Sequence, residues 1–334
     1  MNSLHNSNVI ANGHRLDALN AIDDEPNLID CSFADAVVHG LSIKPKRIGS
    51  KWLYDRKGAI LFEEIVSSPN YYIPRAEASI LRTHSAEIAD FLGPNGSLLE
   101  LGSGSSTKVR ILLDAMESLR FYLPVEISEA QLLEACQALR RDYPAISIYP
   151  VVADYMKEFE LPRLARNGKL MAFFPGSTLS NLLPQNSVRF MSRMNAILGP
   201  GSMFLIGVDL KKDEASLIRA YNDAYGAIWH FNLNILERIN TELGCAFQIE
   251  KFRHQAIYNR EAGRIESAIY STEDQEIVVA GESFELARGE RIVLEYSHKY
   301  DLDEFQALAV DAGWVPREAW VDREKLFSVH LLSN

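Results

Sequence analysis

The stretch Leu98-Leu99-Glu100-Leu101-Gly102-Ser103-Gly104-Ser105-Ser106-Thr107-Lys108 decides the fold. Its apolar start predicts a short strand, its glycines predict a turn, and the apolar spacing over 109–115 predicts a helix. Gly102 and Gly104 have no Cβ, so a ligand can approach the backbone there and meet the N–H groups that open the helix. The G-x-x-x-x-G-K-[ST] spacing is missing, which excludes a triphosphate-binding P-loop. An ordinary strand-to-helix turn remains the alternative for this stretch taken alone.

Composition and charge limit the class of protein. A chain of 334 residues with 47% hydrophobic and 24% charged residues is long enough for one large globular domain or two ordinary ones. The net charge of −11 argues against nucleic acid as the partner. Cys31, Cys136 and Cys245 are too far apart for a metal site or a disulfide framework, which favours a reducing cytoplasm. No apolar run approaches the length of a membrane span, and residues 1–14 lack the apolar centre of a signal peptide, so we expect no membrane partner.

Strands and helices alternate after the opening stretch, which predicts an α/β fold. The predicted strands are 97–101, 120–125, 146–152, 169–174 and 202–208, and a helix at 302–312 precedes two more strands at 314–321 and 327–332. Such alternation predicts a mainly parallel sheet with helices on both faces, with ligands bound at the carboxyl ends of the strands. Seven strands in this arrangement, with a glycine turn after the first, indicate a class I, Rossmann-like S-adenosylmethionine methyltransferase.

A second unit interrupts this alternation of strands and helices. Residues 211–243 look helical and residues 247–294 alternate like antiparallel strands, so Lys211 to His298 is predicted to be an insertion. We expect it to form an α+β substrate-binding lid with the N-terminal segment. The predicted domains are therefore 1–75 with 211–298 for the substrate, and 76–210 with 299–334 for the methyl donor. Within the first segment we expect a helix over 27–40 that stops at Gly40, and a loop over 67–75 before a helix from Glu77.

Acidic residues at strand ends are the first candidates for ligand contacts. Glu126 is placed to accept hydrogen bonds from ribose hydroxyls, the alternative being a carboxylate that stabilises a helix N-terminus. Asp154 is placed to accept from an adenine amino group beside the Tyr155 ring, the alternative being a solvated strand end. Lys108 is either a ligand contact or an exposed helix lysine. The chain has no HExxH or GxSxG motif and no clustered His/Cys set, which excludes zinc and serine hydrolase sites.

Several segments together match one family. They are Leu53 to Gly58, Pro69 to Glu77, Glu100 to Gly104, Pro175 to Thr178 with Asn181-Leu182, Ala220 to Asp223, Phe231 to Asn234 and Glu295 to Ser297. Through them the chain resembles the histidine-specific Nα-methyltransferases of ergothioneine biosynthesis, the EgtD group. The match runs from about Ser50 to the C-terminus and includes the lid.

The resemblance implies transfer of three methyl groups from S-adenosylmethionine to the α-amine of histidine, which gives hercynine, with no metal and with a monomeric chain. The residues that it places at the methyl donor are Tyr54, Gly102, Lys108, Glu126, Asp154 and Tyr155. Those that it places at histidine are Tyr71, Asn181, Tyr221, Ser267, Glu295 and Ser297, with Tyr71 as the catalytic residue.

Two departures from the family pattern bear on the substrate. Glu126 stands where the family usually has Asp, and Ser267 stands where the family has a methionine in the imidazole pocket. The alternatives left open are N-methylation of tryptophan or of a histidine derivative, and a non-enzymatic amino-acid-sensing or protein-binding module on a retained methyltransferase scaffold.

Overall fold

The computed structural model describes residues 32–104, 107–166, 168–223 and 226–334. The predictions for residues 1–31, including Cys31 and the start of the helix at 27, lie outside the described residues. The helices are α1 Phe33–Ser42, α2 Arg56–Ser67, α3 Ile73–Leu92, α4 Thr107–Ala115, α5 Glu129–Asp142, α6 Pro184–Leu198, α7 Glu214–Tyr221, α8 Ala227–Leu243 and α9 Leu302–Asp311.

The strands form a large sheet, a four-stranded sheet and a hairpin. They are β1 Lys46–Arg47, β2 Ser97–Leu101, β3 Phe121–Glu126, β4 Ser147–Ile148, β5 Val151–Val152, β6 Leu170–Phe174, β7 Met203–Asp209, β8 Phe252–Asn259, β9 Arg264–Ser271, β10 Gln275–Val279, β11 Glu282–Leu286, β12 Arg291–His298, β13 Val315–Val321 and β14 Phe327–Ser333.

The large sheet has the order β13-β14-β7-β6-β2-β3-β4, and β5 also pairs with β3. Strands β2, β3, β6 and β7 are parallel to one another, and β14 runs antiparallel to both β7 and β13. Every residue of β2, β6 and β7 is buried, as expected for parallel strands covered by helices on both faces. The predicted α/β methyltransferase fold is confirmed.

The third predicted strand, 146–152, is two short strands in the structure. Both β4 and β5 pair with β3, and Pro150 lies between them. Proline has no N–H to donate to a ladder, so it interrupts the pairing. The large sheet therefore has eight strand segments in seven positions.

The smaller sheet joins the N-terminal segment to the insertion. Its order is β1-β12-β9-β8, with β1 parallel to β12. One hydrophobic cluster includes Leu41 of α1, Ile235 of α8 and Ile292 of β12. The division into domains at 1–75 with 211–298, and 76–210 with 299–334, stays a prediction.

Three local predictions were wrong. Helix α1 continues past Gly40 to Ser42, and Gly40 is needed because a Cβ there would lie 1.8 Å from the carbonyl oxygen of Arg47. Helix α3 starts at Ile73 rather than at Glu77, because Pro74 in its first turn suits a helix start. The segment predicted as helical over 211–243 is two helices, and the Asp223 carboxylate accepts from the N–H groups of Ile228 and Trp229 at the start of α8.

Two strands, β1 and β11, were missed. Strand β11 alternates Phe284 and Leu286, which are buried, with Ser283 and Glu285, which are exposed. Its pairing with β10 forms the hairpin.

Candidate active site

The glycine turn lies at the carboxyl end of β2. Gly102 has φ +70°, and its N–H donates to the carbonyl oxygen of Val125 over 2.9 Å. A Cβ on Gly102 would lie only 3.4 Å from the ring of Tyr155. Glycine therefore allows both this backbone conformation and the close approach of an aromatic ring.

Glu126, Asp154 and Tyr155 come together beside this turn. Glu126 ends β3 and accepts a hydrogen bond from the N–H of Ile127 over 2.8 Å. Asp154 accepts from the N–H of Met156 over 2.9 Å. Burial raises the pKa of Tyr155, and the nearby Glu126 and Asp154 carboxylates raise it further. Both carboxylates thus lie near the phenol of Tyr155, which is partly buried.

Lys108 is tied to a buried carboxylate that the sequence did not reveal. Its ammonium lies 2.6 Å from Oε2 of Glu77, a side chain of α3 with no exposed surface. The N–H of Gly176 donates to both carboxylate oxygens of Glu77 over 3.0 Å. A Cβ on Gly207 would lie 2.2 Å from Oε1 of Glu77, so glycine makes room for the carboxylate. Glu77 therefore joins the helix after the glycine turn to the loop after β6.

Tyr54 lies between the two groups of predicted site residues. Its ring packs edge-on against Phe231, with centroids 5.3 Å apart. Burial raises the pKa of its phenol, and Glu295, Tyr71, Tyr155 and Tyr221 add smaller increases. The ring is nevertheless 43% exposed, which is the pattern of a residue on the wall of a cleft.

Glu295 and Asn181 connect the two sheets. The side-chain amide of Asn181, at the end of the 3₁₀ helix Thr178–Asn181, donates to Oε1 of Glu295 over 2.9 Å. Burial raises the pKa of Glu295 to about 7, although Lys299 and Asn181 both oppose the shift.

A β-bulge in β12 determines the face of the smaller sheet on which the Glu295 side chain lies. Val293 pairs with Ala268 and Glu295 pairs with Ser267, so β12 has one extra residue at this point. The bulge places the Glu295 side chain on the same face as that of Ser267. Ser297 follows on the same face of β12.

Tyr71, Tyr221 and Ser297 form a second polar group. The rings of Tyr71 and Tyr221 meet edge-to-face with centroids 5.9 Å apart. The hydroxyl oxygen of Tyr221 lies 2.9 Å from Oγ of Ser297. Burial raises the pKa of both Tyr71 and Tyr221 well above 10, so both phenols keep their protons at neutral pH.

The Ser267 side chain is buried, and its hydroxyl forms hydrogen bonds with two other side chains. The side-chain amide of Asn232 donates to the carbonyl oxygen of Ile228, so its Oδ1 is the acceptor for the Ser267 hydroxyl at 3.1 Å. Nε2 of His254 lies 3.0 Å from the same hydroxyl oxygen and must then be the donor. Burial lowers the pKa of His254 to about 4, so the ring is neutral. Neither His254 nor Asn232 was predicted to be a partner of Ser267, because both lie far from it along the chain.

Asp209 and Lys299 form a fully buried ion pair behind Tyr221 and Ser297. The Lys299 ammonium lies 2.6 Å from Oδ2 of Asp209, at the end of β7. Asp209 also pairs with Lys212 and accepts from the hydroxyl of Tyr72. Sequence reasoning placed Asp209 at a strand end but missed Lys299. The signal was the alternation Glu295, Ser297, Lys299, which puts three polar side chains on one face.

The fold and the cleft define an S-adenosylmethionine-dependent methyltransferase that carries a second, smaller sheet. The sequence profile of the S-adenosylmethionine-dependent histidine-specific methyltransferases matches residues 33–334, and the chain belongs to this family.

The relatives include enzymes of similar length. The chain is similar to the histidine N-alpha-methyltransferase of Mycolicibacterium smegmatis, with 38% identity over 87% of this chain and 92% of that protein. Its similarity to the histidine N-alpha-methyltransferase of Mycobacterium tuberculosis is 36%, over 89% of this chain and 94% of that protein. It is 29% identical to the ergothioneine biosynthesis protein 1 of Neurospora crassa, over 87% of this chain and 33% of that protein.

Among the described residues, no helix is both long and apolar enough to cross a membrane. Within the same residues, no group of three or more His, Cys, Asp or Glu side chains is arranged to hold a metal ion.

Proposed function

We propose that this chain transfers methyl groups from S-adenosylmethionine to the α-amino group of L-histidine and gives Nα-trimethylhistidine (hercynine). The observation that carries the proposal is the placement of Glu295 and Ser297 on one face of β12, beside Tyr71 and Tyr221. Membership of the histidine-specific family supports the same substrate.

The residues around the glycine turn fit the methyl donor. Gly102 leaves its backbone open, the Glu126 carboxylate suits two ribose hydroxyls, and Asp154 beside Tyr155 suits an adenine amino group. Tyr54 would close the cleft between donor and amino acid. Lys108, which is 25% exposed, would support the site mainly through its ion pair with Glu77. S-adenosylmethionine supplies a methyl group that its sulfonium already activates.

Glu295 and Ser297 would hold the imidazole ring. A carboxylate accepts from a ring N–H, and a hydroxyl donates to the unprotonated nitrogen. A site that hydrogen-bonds both nitrogens discriminates strongly against apolar amino acids, because its own polar groups would be left unpaired. Ser267 would act through His254 and Asn232 rather than on the ring itself, since its proton is committed to Asn232.

Asn181 and Tyr71 would orient the reacting end of the substrate. One N–H of the Asn181 amide bonds Glu295, and the second can donate to the substrate carboxylate with help from Tyr221. Tyr71 would accept a hydrogen bond from the substrate amine and hold its lone pair in line. Its raised pKa argues against a general-base role, because the phenolate is strongly disfavoured. Catalysis would then consist mainly of positioning in a water-poor cleft.

The proposal includes a monomeric chain that acts on the free amino acid in the cytoplasm. It assigns the amino acid to residues 1–75 with 211–298 and the methyl donor to 76–210 with 299–334. The test is incubation of purified protein with L-histidine and S-adenosylmethionine that carries a deuterated methyl group. Mass spectrometry should show the mass of three labelled methyl groups on histidine. Absence of labelled histidine, with S-adenosylhomocysteine binding intact, would overturn the proposal.

A further inference from the structure

The Glu77 carboxylate in α3 links two other elements of the large domain. Its side chain has no exposed surface, and its Oε2 lies 2.6 Å from the ammonium of Lys108 in the first turn of α4. Both of its oxygens accept from the N–H of Gly176, in the loop after β6, over 3.0 Å. An ammonium and a backbone N–H can only donate, so a carboxylate, which only accepts, can bond both at once.

Two glycines leave space for this buried ion pair. A Cβ on Gly207 in β7 would lie 2.2 Å from Oε1 of Glu77, and a Cβ on Gly176 would lie 3.3 Å from Nζ of Lys108. Gly176 also has φ +82°, a conformation that favours glycine. The pair is therefore enclosed by the backbone of β7 and of the loop after β6, and its position is closely fixed.

The first of the three linked elements, α3, holds Tyr71 in place. Tyr71 lies two residues before this helix, and its N–H donates to the carbonyl oxygen of Ser68 over 3.3 Å. The guanidinium of Arg75, in the first turn of α3, donates to the same carbonyl oxygen over 2.7 Å. The position of Tyr71 therefore depends on the start of the helix that carries Glu77.

The second element, α4, packs beside α3 through apolar side chains. Ile80 and Leu81 of α3 lie in one hydrophobic cluster with Val109 and Leu112 of α4. Apolar packing is not directional, whereas an ion pair with a hydrogen bond is. The bond from Lys108 to α3 therefore fixes the start of α4, the helix that follows the glycine turn.

The third element, the loop after β6, leads from Gly176 to Asn181. It is short and bonded internally, since the N–H of Ser180 donates to the carbonyl oxygen of Ser177 over 2.9 Å. Nδ1 of His298 donates to the carbonyl oxygen of Ser180 over 2.9 Å. A displacement at Gly176 should therefore also move Asn181.

We propose that Glu77 is a positioning residue that keeps the methyl donor and the substrate amine in line by tying α3, α4 and the loop after β6 to one carboxylate. It acts through Lys108 and Gly176 rather than on either substrate, since its side chain is fully buried. Glutamine cannot replace it, because the amide NH₂ group would face one of the two donors and break that link. The inference rests on the proposed function in one respect, namely that the donor lies at the glycine turn and the amino acid beside Tyr71 and Asn181.

The test compares Glu77→Gln with Glu266→Gln in the methylation of histidine. Glu266 is the matched control, because it is also a buried glutamate and accepts from the guanidinium of Arg291 over 3.1 Å. It precedes Ser267 in β9, so its side chain lies on the opposite face of that strand. A second variant, Glu77→Gln with Lys108→Met, removes both charges of the buried pair and separates alignment from stability.

Glu77→Gln should lower kcat, at saturating histidine and S-adenosylmethionine, about 10- to 100-fold, because the two reactants are no longer held in line. The KM for each substrate should stay within about threefold of the wild type, as should the kcat of Glu266→Gln. The double variant should be more stable in urea than Lys108→Met alone, yet its kcat should stay as low as that of Glu77→Gln.

Three results would overturn the inference alone: a kcat for Glu77→Gln equal to that of the control, a loss confined to KM, or a kcat that recovers together with stability in the double variant. A wild-type protein that does not methylate histidine would overturn the proposed function and the inference with it.

Discussion

The side-chain amide of Asn181 donates to the carboxylate of Glu295 over 2.9 Å, and this bond joins the loop after β6 to strand β12. The loop that follows β6 in the large sheet therefore contacts the smaller sheet at this acidic side chain. Burial there raises the pKa of Glu295 to about 7, which makes its protonation state sensitive near neutral pH. Recognition of the amino acid should depend on this carboxylate more than on any other group.

Replacement of Glu295 by alanine should weaken histidine binding and leave the methyl-donor side intact. Loss of a charged hydrogen-bond acceptor is expected to raise the KM for histidine by about tenfold to 150-fold. Isothermal titration should show S-adenosylhomocysteine affinity within about threefold of the wild type. Equal losses for both ligands would remove Glu295 from substrate recognition.

Activity should rise with pH through about 7. Below that pH the Glu295 carboxyl is protonated in the free enzyme and cannot serve as a carboxylate acceptor for a ring N–H. A plot of kcat/KM for histidine between pH 5.5 and 9 should show this limb near pH 7 below a further rise from deprotonation of the substrate amine. The Glu295→Gln variant should lose the Glu295 limb and keep the titrations of the substrate amine and of the substrate ring, the latter near pH 6.5. An identical profile for both proteins would contradict the assignment.

Because the pKa of Glu295 is raised in the folded protein, the contribution of Glu295 to the free energy of unfolding should fall as the pH rises. The folded protein binds more protons at this site than the unfolded chain between pH 4.5 and about 7. The stabilising contribution is therefore complete below pH 4.5 and is lost as pH rises through 7. Chemical denaturation at pH 5 and pH 8 should show a smaller decrease in the free energy of unfolding for Glu295→Gln than for the wild type. If the free energy of unfolding decreased by the same amount in both proteins, the raised pKa of Glu295 would be contradicted.

Tyr71→Phe should slow turnover about tenfold to 100-fold with little change in affinity for the methyl donor. The ring keeps its edge-on contact with Tyr221, but the hydroxyl that would orient the amine is gone. Tyr143→Phe is the matched control, because the Tyr143 hydroxyl, just after α5, donates to Asp114 of α4 and to none of the candidate site residues. Single-turnover rates measure the effect. Unchanged turnover in Tyr71→Phe would exclude the hydroxyl from the reaction.

Lys108→Met should destabilise the protein by about 3 kcal/mol, because it leaves the Glu77 carboxylate buried without its counterion. The combination with Glu77→Gln should restore a large part of that loss. Lys57→Met is the control, since the Lys57–Glu237 pair is exposed and worth under about 1 kcal/mol. Urea denaturation gives all three values. A Lys108→Met protein as stable as the control would show that the buried pair contributes little.

Ser267→Ala should affect stability more than substrate affinity. It leaves Nε2–H of His254 and Oδ1 of Asn232 without their partner, at a cost of about 1–3 kcal/mol. The KM for histidine should rise less than in Glu295→Ala. Steady-state kinetics and thermal melts on the same preparations separate the two effects. A larger rise in KM than for Glu295→Ala would place the Ser267 hydroxyl on the substrate.

Local patterns were sufficient to predict the large sheet. Its central strands β2, β6 and β7 are short, fully buried runs, and Gly102 follows the first of them, so spacing along the chain identified both strand and turn. Glu295 and Ser297 were predictable as partners because residues two apart share a face of a strand. By the same rule, Lys299, two residues after Ser297, was predictable on the same face.

The features that were not predicted depend on contacts between residues far apart in the sequence. The bulge between Val293 and Glu295 depends on the register with β9, which no property of β12 alone determines. Glu77 read as an ordinary helix residue, yet the fold brings Lys108, Gly176 and Gly207 around it. The environment of Ser267 depends likewise on residues 13 and 35 positions away in the sequence.

The central claim is the identity of the methylated amino acid, and competition among substrates tests it most directly. The purified protein would be given all twenty amino acids at equal concentration with S-adenosylmethionine, and the products would be identified by mass spectrometry. The account predicts trimethylated histidine as the main product, with its loss in Glu295→Ala. Methylated tryptophan or another amino acid as the main product, with histidine unchanged, would contradict it.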